Sequence, residues 1–380
     1  MTTRMYSSVK CPEYAQGTQP CQQQQQHVPF EIYVRNVYPP IQELQPRILF
    51  VITIFVLCFI VGVCGNSSIL TIIRGVIVER RSSSRSGRRQ GEHTILYIAA
   101  LCVVDFLMSM SLPPAILDSI IGFWMFGTAI CKLHHICGSV GRIVSTFLIT
   151  AMSFDRFVAV CHPHKHAYRS RKFILSVIAS VCGVAFLLLL PMLTYARANE
   201  VLLHQLRQAD PVNHRENVTR VRVYKCSDMM PPYVFYWFTC STFLLGYVVP
   251  LVLIVYFNCK LVRRLYRHSK LQPRSGIPLR RVATYTILIA VFYFVCWTPY
   301  WCSVLYAIYM SIFSDARAES SELLLFVIYC VHLLPYFGSA SNWILYGLLN
   351  TQLQMKHDAQ HSNDEHVGMM RPHPQPSLSR

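Results

Sequence analysis

The chain has 380 residues, 53% of them hydrophobic and only 14% charged, with a formal net charge of +17. A soluble domain carries about 25% charged residues, so this composition excludes a disordered chain and argues against a soluble enzyme. The surplus of Lys and Arg admits nucleic-acid binding, because these side chains neutralise phosphates, until its place in the chain is considered.

Residues 1–48 are polar, contain the run Gln22 to Gln26, and lack a basic segment followed by an apolar one. They are expected to form a flexible extracellular tail, translocated without a cleaved signal. Seven apolar runs follow: about Leu49 to Ile73, Ile95 to Ile121, Cys131 to Val160, Ile174 to Leu193, Val234 to Cys259, Val282 to Met310 and Leu323 to Leu349. Each is long enough to cross about 30 Å of hydrocarbon as a helix. The fold predicted is all-α, a seven-transmembrane helix bundle over residues 49–349 with its termini on opposite sides.

Charge orients the bundle. Arg74 to Thr94 carries six basic and two acidic residues, Phe157 to Phe173 four and none, and Lys260 to Arg281 eight and none, which together hold +16 of the +17. These are alternate loops, and the positive-inside rule makes their side the cytoplasm and the N-terminal side the exterior. Basic charge interleaved with spans, and not with exposed aromatics, argues against nucleic acid as a partner; anionic lipid headgroups fit it.

The long outer loop from about Thr194 to Pro232 contains Asn217-Val218-Thr219, an N-glycosylation acceptor. A second sequon at Asn66 lies within the first apolar run, out of reach of glycosylation, and is set aside. Most of the 15 cysteines fall within spans, where Cys behaves as a small hydrophobe. Cys131, at the outer start of the third span, and Cys226, in the outer loop, both face the oxidising compartment and are expected to form a disulfide. Cys11 and Cys21 have several possible pairings that spacing does not decide.

Short signatures then fall at matching depths: Gly65-Asn66, Leu101 with Asp105, Trp124-Met125-Phe126-Gly127 before Cys131, Asp155-Arg156-Phe157, Pro250, Cys296-Trp297-Thr298-Pro299, and Asn342-Trp343-Ile344-Leu345-Tyr346. Together they resemble the rhodopsin-like (class A) G-protein-coupled receptors over about residues 49–355. The resemblance implies an activation switch built from Asp105, Asp155, Arg156, Trp297, Pro299, Asn342 and Tyr346, with Arg156 released to meet a heterotrimeric G protein. It also implies an allosteric sodium ion held by Asp105, Ser145, Ser339 and Asn342, the alternative being a hydrogen-bonded polar knot without an ion. No other cofactor or metal is expected.

Physical reasons stand beside the resemblance. Asp105 is an ionisable group deep in a span, which is expensive in hydrocarbon. At the cytoplasmic boundary the Arg156 guanidinium can snorkel and be held by Asp155. Pro299 removes a backbone donor and weakens the sixth span. Trp343, Phe157, Tyr293, Cys182 and Asn258 depart from the family's usual residues, and no acidic residue lies between Lys260 and Arg281 to lock Arg156. A permissive resting state is therefore expected.

On the third span, His135, Ser139 and Arg142 recur on one face, and Gly138 stands where amine receptors carry an aspartate. By family position, Tyr300, Trp301, His332 and Tyr336 complete a ligand pocket with them. A deep cation suits an anionic or carbonyl-rich ligand end; the alternative is an internal pair between Arg142 and Asp105. The short third inner loop, the strand-like run Val221 to Lys225 and the aromatic pocket resemble the peptide-receptor branch, with a (neuro)peptide favoured over a small anionic or lipid ligand.

No Ser-His-Asp order, His-Glu-x-x-His helix or Gly-rich phosphate loop argues for an enzyme. A transporter would show self-similar halves with interrupted helices, and none is evident. Residues 350–380 are expected to form a short membrane-surface helix and a cytoplasmic tail. Ser362, Ser377 and Ser379 are the tail's hydroxyls beyond Thr351, too sparse for a dense phosphorylation code read by arrestin. The expected location is the plasma membrane.

Overall fold

The structure, a computed structural model, describes residues 31–39, 46–82, 92–164, 170–210, 215–271, 277–313 and 322–369. Cys11, Cys21, Ser377 and Ser379 lie outside the described residues. Seven helical rods form the bundle: α1 (Pro46–Ser82), the pair α2 (Glu92–Met110) and α3 (Leu112–Ile121), α4 (Gly127–Cys161), α5 (Arg171–Tyr195), the pair α6 (Pro232–Phe243) and α7 (Val249–Leu271), α8 (Ile277–Phe313), and α9 (Glu322–Met369).

Among the described residues, six of these rods are long and apolar enough to cross a membrane. The seventh, α9, interrupts its apolar run with His332, Ser339, Ser341 and Asn342, yet packs against α8 and α1 as a full member of the bundle. Its helix runs without a break from Glu322 to Met369.

α1, α7 and α8 outlast their apolar runs because their basic flanks continue the backbone hydrogen-bond ladder. The second rod breaks at Ser111, whose backbone N–H and hydroxyl both donate to the Met108 carbonyl, 3.2 and 2.7 Å away. Pro113 and Pro114 then open α3, where a missing N–H costs nothing. In the fifth rod a π-helical turn, Leu244–Val248, precedes Pro250; the wider turn accommodates the proline's missing donor. Pro299 sits inside an unbroken α8, and the Thr298 hydroxyl donates to the Phe294 carbonyl 2.6 Å away.

Polarity is distributed inside out relative to a soluble protein. Asn66, Asp105, Ser145, Arg156 and Asn342 are buried, whereas Leu57, Phe186, Leu187, Val252 and Val295 are exposed on the bundle's surface. This is the arrangement of helices whose outer solvent is lipid. Asn66, the sequon set aside above, is fully buried and donates to the Gly62 carbonyl at 2.9 Å and the Ser339 carbonyl at 3.4 Å.

A three-stranded sheet of order β1-β3-β2 lies at the end that the charge distribution places outside. The outer loop supplies an antiparallel hairpin, β2 (Arg197–Asp210) and β3 (Arg215–Ser227), pairing Ala198 with Cys226. The N-terminal tail supplies β1 (Glu31–Val37), parallel to β3 from Glu31↔Arg215 to Val37↔Val221. A wholly flexible tail was expected; Glu31–Val37 departs from that because its Ile, Tyr and Val residues suit a strand and β3 offers an open edge. Asn217 lies exposed on the middle strand.

Candidate functional site

The sheet is fastened over the outer end of α4. Cys131 and Cys226 form the disulfide, the Trp124 N–H donates to the Tyr224 carbonyl at 2.8 Å, and Lys225 Nζ donates to the Gly122 carbonyl at 2.9 Å. Gly122 closes α3 at φ 86°, a left-handed conformation that glycine adopts without penalty.

Beneath this cover lies a cavity of about 870 Å³ among the outer ends of the helices, within the roughly 300–1,000 Å³ of small-ligand sites. Of the seven residues that sequence reasoning placed in a pocket, His135, Ser139, Arg142, Tyr300, His332 and Tyr336 line it. Trp301 does not. Its indole is buried against Phe243, Tyr247 and Tyr300, with ring centroids 5.2, 5.9 and 5.6 Å away, because one residue beyond cavity-facing Tyr300 is a turn of about 100° around the helix.

Sequence reasoning missed most of the rim. Asp118, Trp124, His134, Lys225 and Asp228 line the upper cavity; Asp118 lies on α3, Lys225 on β3, and Trp124 and Asp228 just beyond these two elements. The signal available was the motif Trp124-Met125-Phe126-Gly127, which fixes the loop: Trp124 Nε1 donates to the Gly127 carbonyl at 2.9 Å and its ring meets those of Phe126 and His134 at 5.2 and 5.8 Å.

At the cavity base, Arg142 Nη1 donates to the Tyr300 hydroxyl and Nη2 to Ser139 Oγ at 3.3 Å. The guanidinium carbon lies 5.3 Å from the Tyr300 ring centroid and 5.4 Å from that of Trp301. The alternative pairing with Asp105 is not formed: Asp105 Oδ2 accepts from Asn342 Nδ2 at 3.2 Å and from the Tyr346 hydroxyl at 3.0 Å. Among the described residues Arg142 has no carboxylate within ion-pair distance.

Below Arg142 the switch residues form two layers. Trp297 lines the cavity floor and stacks on Tyr293, centroids 5.7 Å apart. Tyr293 donates to the Arg142 carbonyl at 2.8 Å and lies 2.5 Å from Thr146 Oγ1. In the polar layer beside it, Asp105 Oδ1, Ser145 Oγ and Asn342 Oδ1 are buried without partners, and the Ser339 hydroxyl donates to Met108 Sδ at 3.0 Å.

At the cytoplasmic end, buried Arg156 donates through Nη2 to Asp155 Oδ2 at 2.5 Å and to Thr94 Oγ1 on α2. Asn258 of α7 donates to Ser153 Oγ at 3.5 Å. Trp343 lies against Gly65, where an added Cβ would come within 2.3 Å of the indole. A tryptophan at this point in α9 thus requires a glycine on α1.

Residues 76–346 match the family described as 7 transmembrane receptor (rhodopsin family). The chain belongs to this family. The receptor is 38% identical over 331 residues to a probable G-protein coupled receptor of Caenorhabditis elegans, covering 87% of this chain and 73% of that one. It is 37% identical to neuropeptide receptor 18 of the same nematode, over 79% of this chain and 64% of that protein's length. Somatostatin receptor type 1 of Rattus norvegicus is 24% identical over 82% of this chain and 71% of its own. The receptor is a multi-pass membrane protein, and not an enzyme.

Proposed function

We propose that the receptor binds an extracellular peptide in the outer cavity and activates a heterotrimeric G protein from its cytoplasmic face at the plasma membrane. The observation that carries this reading is a cavity of about 870 Å³ with a charged rim and an aromatic floor. Such a cavity offers polar contacts to a peptide backbone above and a packed anchor below. The relatives named for neuropeptide and somatostatin support it, as does one named C-X-C chemokine receptor type 5 of Homo sapiens.

Trp297 links binding to signalling in this reading. A ligand pressing on the floor displaces Trp297, which is stacked on Tyr293, and so bears on the contact between α8 and α4. Outward movement of α8 about Pro299 then opens the cytoplasmic end and frees Arg156 from Thr94 and Asp155. The test is expression of the full chain in cultured cells with a G-protein dissociation sensor, challenged with a library of synthetic neuropeptides. A concentration-dependent response in receptor-bearing cells alone is expected; no response from any peptide, at confirmed surface expression, would sink the reading.

The polar layer suits a sodium ion. Asp105 Oδ1, Ser145 Oγ and Asn342 Oδ1 are buried oxygen atoms without donors, and a hard monovalent cation bound there supplies the charge that a buried carboxylate lacks. The Ser339 hydroxyl, within reach of both Met108 Sδ and Asp105, adds a fourth oxygen to the layer. Exposed Asn217 is the proposed glycosylation site.

A further inference from the structure

We infer that Arg142 is the anchor for an anionic group of the ligand, a carboxylate carried either by a peptide's C-terminus or by an Asp or Glu side chain. This rests on the peptide reading above and names the chemistry that the site selects.

The guanidinium is electrically incomplete. Its two occupied nitrogens donate to neutral hydroxyls, those of Tyr300 and Ser139, and its Nε is buried with no acceptor. The faces of Tyr300 and Trp301 offset part of the cost of removing the cation from water, but an uncompensated buried charge remains expensive. Asp105 on α2 forms no ion pair with it, and its Oδ2 accepts from Asn342 and Tyr346 instead.

The rim differs from the floor. Asp118 and Asp228 line the cavity's outer part together with Arg47 and Lys225, so both signs are present there. At the base, Arg142 is the formal charge that lines the cavity. A planar carboxylate presents two acceptors to the guanidinium fork, the strongest geometry available to it.

Access is built in. Gly138 lies one helical turn outside Arg142, and a Cβ there would meet only the Tyr336 hydroxyl, at 3.6 Å. The missing side chain leaves the approach to the guanidinium open. An arriving carboxylate also competes with Tyr300 of α8 for Nη1, while the Arg142 carbonyl holds Tyr293 of the same helix. One ligand group thereby bears on the side-chain tie between Arg142 and α8.

Gly138→Asp supplies a test that does not depend on deleting the arginine. The added Cβ fits in ordinary contact, and a carboxylate four residues N-terminal to an arginine pairs with it along a helix. The receptor would then fill its own site.

The experiment uses full-length receptor in cultured cells with a G-protein dissociation sensor and a surface-expression tag. The probes are synthetic peptides, each made as free acid, as C-terminal amide, and with Asp and Glu replaced by Asn and Gln, together with a panel of aromatic monocarboxylates. In wild type, neutralising one particular carboxylate is expected to weaken the active peptides at least about tenfold; the amide and side-chain arms show which carboxylate it is. Arg142→Gln should lose a similar factor and stop distinguishing acid from neutral forms, Arg142→Lys should retain the distinction, and Gly138→Asp should respond weakly to both.

Peptides equally potent in acid and neutral forms on wild type would overturn the anion site while leaving the peptide reading intact. So would an acid preference that persists in Arg142→Gln or in surface-expressed Gly138→Asp. A wild-type response to monocarboxylates and to no peptide, lost in Arg142→Gln, would sustain the anion site and end the peptide reading. Silence of wild type to every probe would overturn both.

Discussion

The Tyr293 hydroxyl donates to the backbone carbonyl of Arg142 across 2.8 Å, so α8 and α4 are joined by a hydrogen bond in the interior of the bundle. Thr146 Oγ1, 2.5 Å from the same hydroxyl, belongs to the junction. The family's usual phenylalanine at this point has no hydroxyl to offer. The sequence lacks an acidic residue between Lys260 and Arg281, which removes the usual ionic tie at the cytoplasmic end; Tyr293 supplies a neutral, hydrogen-bonded tie at a different depth.

Tyr293→Phe should therefore raise ligand-independent signalling. A net hydrogen bond is worth about 0.5–1.5 kcal/mol, equivalent to roughly a two- to tenfold shift toward the active state. Basal G-protein dissociation at matched surface expression measures it, and an unchanged basal signal would show that the junction does not restrain activation.

Thr94→Val should act in the same direction by a separate route. Thr94 Oγ1 accepts from Arg156, and valine keeps the shape without the acceptor. Because Thr94 and Tyr293 share no partner, the double variant should multiply the two single effects. The same basal assay checks this, and an effect no larger than that of Tyr293→Phe alone would place both on one restraint.

Gly65→Ala should destabilise the receptor through Trp343. The new methyl would lie within 2.5 Å of three indole atoms of a rigid ring, and overpacking of this kind costs about 1–3 kcal/mol. The melting temperature of detergent-purified receptor should fall, and Trp343→Leu in the same chain should recover most of the loss. Failure of the second substitution to help would mean that Gly65 serves something other than the indole.

Sodium should stabilise the wild type relative to potassium at equal ionic strength, because an ion bound only by the folded state adds about 1.4 kcal/mol at ten times its dissociation constant. Asp105→Asn removes the charge that attracts the ion while keeping an acceptor for Tyr346. The difference in melting temperature between the two salts should vanish in that variant. Equal melting of wild type in both salts would leave the polar layer as a hydrogen-bonded knot.

The span count was legible because the bilayer's thickness imposes a length on every apolar run, and Asp105, Arg142 and Arg156 stood out because charge inside such runs is scarce. The partner of Arg142 was not legible: Asp105 and Tyr300 are both within reach of its long side chain on sequence grounds, and only packing chose Tyr300. Strand β1 was hidden for a different reason. Its seven residues resemble any short Ile- and Val-bearing stretch, and the strand that pairs with them begins at Arg215. Thr94 was likewise concealed, as an ordinary hydroxyl at the edge of a basic loop.

Strand β1 has a mechanical consequence. It hydrogen-bonds to β3, β3 ends at the disulfide through Cys226, and Cys131 lies on the helix that carries both Arg142 and Arg156. A pull on the chain ahead of Glu31 is thus borne first by the sheet and then by α4, before it reaches the membrane entry at Pro46. Any tag, antibody or tether attached to the N-terminal segment takes hold of the receptor's central helix.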